Sequence, residues 1–95
     1  MTKEIKYRNG TLTLEDGTTF HVSRWDLSPE QPHRIRLYDD RCSPPISTDL
    51  SFEASKAFIE QAESDEEKAA EQIRILDLLE ESHRLIQRYR ELRSR

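Results

Sequence analysis

Three histidines, one cysteine and several paired carboxylates are the residues of this chain whose chemistry could reach beyond structure. His21, His33 and His83 stand in no HExxH, HxxxH or cysteine-rich setting. The single metal-like spacing is Glu80-x-x-His83, which sets a carboxylate and an imidazole on one face of a helix. A carboxylate-bridged di-metal site needs two such pairs and two further glutamates, so one copy reads as a solvated charged face. Cys42 lies in Arg41-Cys42-Ser43-Pro44-Pro45, where a neighbouring cation lowers a thiol pKa, but no base has a predicted place beside it. Acidic pairs such as Asp39-Asp40 and Glu80-Glu81 are adjacent in sequence and point apart. Gly10 and Gly17, the only glycines, are both committed to turns, which leaves none for a phosphate-binding loop. The expectation is a protein with no catalytic residue, no metal and no cofactor.

What remains is charge, and it is unevenly distributed. Residues 1–48 hold seven acids and seven bases, residues 49–81 eleven acids against three bases, and residues 82–95 five arginines against one glutamate. A net charge of -4 therefore conceals a neutral, an acidic and a basic segment. The acidic surface is expected at Glu63, Asp65, Glu66, Glu67 and Glu71. A helix studded with carboxylates imitates a phosphate backbone and suits occupation of a nucleic-acid-handling protein. Small phage-encoded inhibitors of bacterial defence systems have this size and charge pattern, an analogy with no motif behind it. Two basic surfaces compete with it. Lys6, Arg8, Arg34, Arg36, Tyr38 and His21 are expected outward on a sheet, which resembles in outline a single-stranded nucleic-acid platform. Arg84, Arg88, Arg90, Arg93 and Arg95 crowd the last turns of a helix, where cations suit the dipole and can also grip phosphates.

The elements that must position these groups fall into two halves of one domain: residues 1–40, a connector over 41–48, and a helical region over 49–95. Ninety-five residues with 34% hydrophobic and 36% charged side chains allow only a thin core. Ile5 and Tyr7 alternate with Lys6 and Arg8, and Asn9-Gly10 is the strongest short hairpin signal because both residues tolerate positive φ. The register it predicts sets Arg8 opposite Thr11 and Tyr7 opposite Leu12. At Glu15-Asp16-Gly17 only a three-residue loop keeps Leu12 opposite Phe20, with Gly17 supplying the left-handed residue. Strands are expected near 3–8, 11–14, 18–23 and 34–38. Trp25 is expected to cap the core as it leads into a loop broken by Pro29 and Pro32, with exposure as a binding anchor the alternative.

From Leu50 onward there is no glycine or proline. Phe52, Phe58, Ile59 and Ala62 share one side of a first helix, with Asp49 or Ser51 as N-cap. Ser64-Asp65-Glu66-Glu67 reads as a capping box with Ser64 as the cap, which predicts a second helix starting there. In that helix Ala69, Ile73 and Leu76 form one apolar line. Ile75, Leu79, Ser82, Ile86 and Tyr89 form another on a different side, beside Leu78, Leu85 and Leu92. One layer of sheet cannot cover both lines, so a homodimer through Ile75, Leu79, Ile86 and Tyr89 is expected.

The fold class is therefore α+β, an N-terminal antiparallel meander of three to four strands followed by a helical hairpin with a long final helix. The lone cysteine and the lack of an apolar leader point to a cytoplasmic protein with no membrane partner, in the host cytoplasm if phage-encoded. The function expected is that of a non-enzymatic protein-binding regulator or inhibitor. A nucleic-acid-binding module and an assembly protein are the alternatives.

Overall fold

The computed structural model describes residues 5–94, with a mixed α+β architecture: six short strands, then two helices. Strands β1 (Lys6–Arg8), β2 (Thr11–Thr13) and β3 (Thr19–His21) form one antiparallel sheet in the order β1-β2-β3. Strands β4 (Arg24–Leu27), β5 (Ile35–Asp39) and β6 (Ile46–Asp49) form a second, in the order β4-β5-β6. Helix α1 spans Phe52–Ala62 and α2 spans Glu66–Arg93.

The two turns set the first sheet. Asn9 and Gly10 take φ of 52° and 78°, and Arg8 pairs with Thr11 and Tyr7 with Leu12, the register the type I′ turn requires. Gly17, at φ 90°, closes a three-residue loop that keeps Leu12 opposite Phe20. Residues 3 and 4 of the expected first strand lie outside the described residues.

The second sheet departs from the expected meander. Trp25 does cap the core, but it does so from a strand, where a loop was expected. Arg24 to Leu27 alternate across β4 and pair with β5, Trp25 opposite Leu37 and Leu27 opposite Ile35. Residues 46–48, expected in an extended connector, and Asp49, expected to open the helical region, form β6 and pair with the other side of β5. β5 is thus a central strand, and Ile35 and Leu37 are fully buried.

Helix α1 begins where Ser51 caps it, its hydroxyl accepting from the Ala54 N–H at 3.1 Å. One turn on, the buried Ser55 hydroxyl accepts from the Ile35 N–H at 2.8 Å and donates to the Ser51 carbonyl at 2.7 Å. Gln61, at the other end, ties α1 to the first sheet. Its amide accepts from the Tyr7 N–H at 2.7 Å and donates to the Ile5 carbonyl at 2.9 Å. The break between the helices falls where expected, but the cap of α2 is Asp65 rather than Ser64. Asp65 Oδ1 accepts from the N–H groups of Glu67 and Lys68 at 3.0 and 3.3 Å. A carboxylate beside the dipole's positive end interacts more strongly than a hydroxyl, and the helix starts one residue later.

Phe58 is at the centre of the core, with no exposed surface. Its ring meets Tyr7 of the first sheet at 5.1 Å and Trp25 of the second at 5.6 Å, both edge-on. Around it Leu12, Ile35, Leu37, Ile59 and Leu76 are almost wholly buried. Phe58→Ala removes the group that both sheets rest on, and a cavity of that kind costs about 3–5 kcal/mol. Chemical denaturation should show the variant at or past the edge of unfolding, since small domains hold only about 5–15 kcal/mol.

An ion pair ties β5 to β6 at the foot of α1. Arg36 Nε and Nη2 donate to the two oxygens of Asp49 at 2.6 and 3.2 Å, and both side chains are mostly covered. The hydrogen bond from Arg36 holds the Asp49 carboxyl below the usual carboxylate range against the opposing effect of burial. A depressed carboxylate stabilises the fold above its unfolded pKa and loses that contribution as pH falls through the folded one. Asp49→Asn should lower stability at pH 7 and flatten the acid limb of a stability-against-pH curve below about pH 4.

Candidate functional site

Helix α2 is longer than the body that supports it. Its 28 residues extend about 42 Å at 1.5 Å per residue. Ala69, Ile73 and Leu76 face the core, with Leu76 only 1% exposed. Glu80 and His83 continue that side along the loop before β5. Beyond His83, every described residue from Arg84 to Ser94 is exposed. Ile86, Gln87 and Arg90 still border Glu30, Pro32 and His33 across an open cleft, and the helix runs on past them to Arg93.

The second apolar line lies almost opposite the first. Ile75, Leu78, Leu85, Ile86, Tyr89 and Leu92 are 44 to 62% exposed, and only Leu79 among the apolar side chains of this stripe is half-covered. At about 100° per residue these positions fall within an arc of about 140°. Beside its first residue the stripe meets an apolar cleft of about 180 Å³ between α2 and β4, floored by Ile35 and Ile59 and flanked by Trp25 and Leu27. Gln72 lines this cleft, with its Oε1 buried and lacking a hydrogen-bond partner. Of the residues expected at a dimer interface, Ile75, Leu79, Ile86 and Tyr89 all lie on this side of α2.

The acidic group gathers at the corner between the helices. Glu63 is the C-cap of α1 and Asp65 the N-cap of α2. Glu66 and Glu67 fill the first turn of α2, and Glu71 follows one turn later. Glu60 of α1 adds a further carboxylate to the same shallow hollow as Glu63 and Glu66. None of these carboxylates has an ion-pair partner among the described residues.

The expected basic sheet face is dispersed. Lys6 and Arg8 are exposed on β1, in a different sheet from Arg36 and Tyr38. Arg34 precedes β5, with its Nε donating to the Leu50 carbonyl at 2.7 Å and its Nη1 to Gln31 Oε1 at 2.8 Å. Arg36 is held by Asp49, and the Tyr38 ring lies beneath the Arg24 guanidinium at 3.9 Å. His21 is half-buried on β3. On α2, Arg84 pairs with Glu80 one turn back. Arg88, Arg90 and Arg93 have no ion-pair partner among the described residues, and Arg93 lies 5.8 Å from the centre of the Tyr89 ring. Arg95 lies outside the described residues.

Two histidines meet that the sequence left apart. His33, buried in the loop before β5, stacks on His83 of α2 with ring centroids 4.4 Å apart. Fifty residues separate them, and no local pattern announces the contact. Burial and the His83 imidazole push the His33 pKa down; Arg34 adds to that, and Glu80 opposes it. His33 Nδ1 is buried without a hydrogen-bond partner. Among the described residues no group of three or more His, Cys, Asp or Glu side chains is placed to hold a metal ion. Cys42 is free and half-buried. No helix is long and apolar enough to cross a membrane.

Comparison with protein-family models, with curated proteins and with solved structures yields no match.

A base whose folded pKa is lowered binds its proton more readily in the unfolded chain, so stability falls as pH drops through the ordinary imidazole value near 6.5. His33→Phe keeps a ring against His83 and Phe52 and removes that proton. Thermal melts of the variant should lose the stability slope between about pH 7 and pH 5 that the parent shows.

Proposed function

We propose that this chain is a non-enzymatic protein-binding regulator or inhibitor, with α2 as its binding element, acting by occupying its partner. One observation carries the reading: six large apolar side chains of α2 are 44 to 62% exposed, most of them beyond the part of the helix that packs on the core. A stripe of this size is costly to leave in water, and its usual role is to meet another protein surface. Its last ten residues are also too few to hold a helix well alone, so contact with another chain stabilises the helix it binds. The unpaired carboxylates at Glu63, Asp65, Glu66, Glu67 and Glu71 add a directional charge to one end of the same element. They suit a basic surface of the kind found on nucleic-acid-handling proteins, and steer the encounter at low salt.

A nucleic-acid-binding reading is favoured by one feature, the exposed and unpaired Arg88, Arg90 and Arg93. The sheet adds little to it, because Arg34 and Arg36 are engaged within the fold. Binding of that kind weakens steeply with salt and holds the protein on heparin.

Leu85 is 61% exposed and lies away from the core-facing Ala69, Ile73 and Leu76, so Leu85→Glu should leave the fold intact while placing a charge in the middle of the stripe. Affinity capture with the tagged protein should recover a protein chain, either this chain or another, that Leu85→Glu loses by at least tenfold. Reversing Glu66, Glu67 and Glu71 to lysine should weaken capture of a different chain and make its remaining affinity insensitive to salt. Capture of nothing by the parent protein, or equal capture by parent and Leu85→Glu, would sink the reading. Heparin retention abolished by replacing Arg88, Arg90 and Arg93 would support the nucleic-acid alternative in its place.

A further inference from the structure

We infer that the occupant of the α2 stripe is a second copy of this chain, lying antiparallel, so that the protein is a dimer with its two carboxylate-rich corners at opposite ends. The inference rests on the reading of α2 as a protein-binding face and names what covers it.

The spacing of the stripe selects the orientation. Ile75, Leu78, Ser82, Leu85, Tyr89 and Leu92 alternate at three and four residues, the a and d positions of successive heptads. When two such helices run antiparallel with their stripes fully overlapped, a positions of one face d positions of the other. Ile75 then lies opposite Leu92 of the second copy, Leu78 opposite its Tyr89, and Ser82 opposite its Leu85. All six positions find partners in one register, over a contact about 26 Å long. Leu79 and Ile86, on one flank, fall opposite each other and widen the apolar seam.

Charge supports the same register. On the other flank Glu81 stands opposite Arg88 of the second copy, and symmetry makes the pair twice. Neither residue has an ion-pair partner within its own chain among the described residues. Farther along, Arg90 of each helix falls level with the partner's Asp77. A parallel pair in register does the reverse. It brings Arg88 of one helix beside Arg93 of the other, and stacks the acidic halves together.

The cleft between α2 and β4 gives a second, independent observation. It opens beside Ile75, on the flank where the last turn of the antiparallel partner runs, Tyr89 to Arg93. Gln72 stands there with its Oε1 buried and without a donor. Arg93 of the second copy falls opposite Gln72 in this register, at the mouth of the apolar cleft. The body packs mainly on the opposite side of α2, at Ala69, Ile73 and Leu76, and its loop at Glu30, Pro32 and His33 borders the Leu79–Ile86 flank of the seam.

The test is a charge swap read by sedimentation or light scattering of the purified protein at micromolar concentration. The parent protein should be a dimer, and Leu85→Glu a folded monomer by circular dichroism. Glu81→Arg and Arg88→Glu each break both ion pairs and should raise the dimer dissociation constant on the order of tenfold. The double variant restores opposite charges across the seam and should recover most of the parent affinity. A dimer in which the double variant is as weak as either single one would overturn the antiparallel register. A parent protein that is monomeric would overturn the second copy as occupant. In that case, capture of a different chain that Leu85→Glu abolishes would leave the protein-binding reading standing, whereas capture of nothing would remove both.

Discussion

The structure depends on one aromatic ring. Tyr7 from the first sheet and Trp25 from the second both rest on Phe58, edge-on at 5.1 and 5.6 Å. The two sheets share no ladder, and their orders, β1-β2-β3 and β4-β5-β6, are separate. What joins them is burial against α1, with the Ser55 hydroxyl pinning β5 and the Gln61 amide pinning β1. Helix α1 is thus fixed at both ends by hydrogen bonds and in the middle by packing. Helix α2 reaches the core mainly through Ala69, Ile73 and Leu76, and the rest of its length is surplus to the needs of this small body.

The distribution of charge follows from the same economy. In the sheets, Arg24, Arg36 and Arg41 are paired with Asp40, Asp49 and Asp39. In the helices the charges are mostly unpaired and exposed. Unpaired carboxylates gather at the α1–α2 corner and unpaired arginines at the end of α2.

Features encoded within a few residues were legible in the sequence. Asn9-Gly10 and Glu15-Asp16-Gly17 specify turns that in turn specify register, and both registers are the observed ones. The apolar lines of α2 were legible for a similar reason, because helical periodicity is a local property. The second sheet was not. β4 carries only Trp25 and Leu27 as apolar residues, ahead of Pro29, and β6 follows Pro44-Pro45 with an Ile46 that is 51% exposed. The alternation of β4 lasts only four residues and β6 has none, and each pairs with one side of β5. The dispersal of the basic residues follows from that missed sheet, since one sheet was expected where there are two. The His33–His83 stack joins a loop to a helix fifty residues later and leaves no trace in either segment.

Gln61 gives the molecule one further property. Backbone groups along the outer side of an edge strand are a template for pairing with any extended chain. At β1 the template is closed by one side chain, whose carboxamide takes up the Tyr7 N–H and the Ile5 carbonyl much as a neighbouring strand would. Strand addition on that side would have to displace an amide already seated in the right geometry. The seated carboxamide thus does at β1 what an added strand would do, and leaves that edge no free pair of backbone groups at Ile5 and Tyr7 to recruit one.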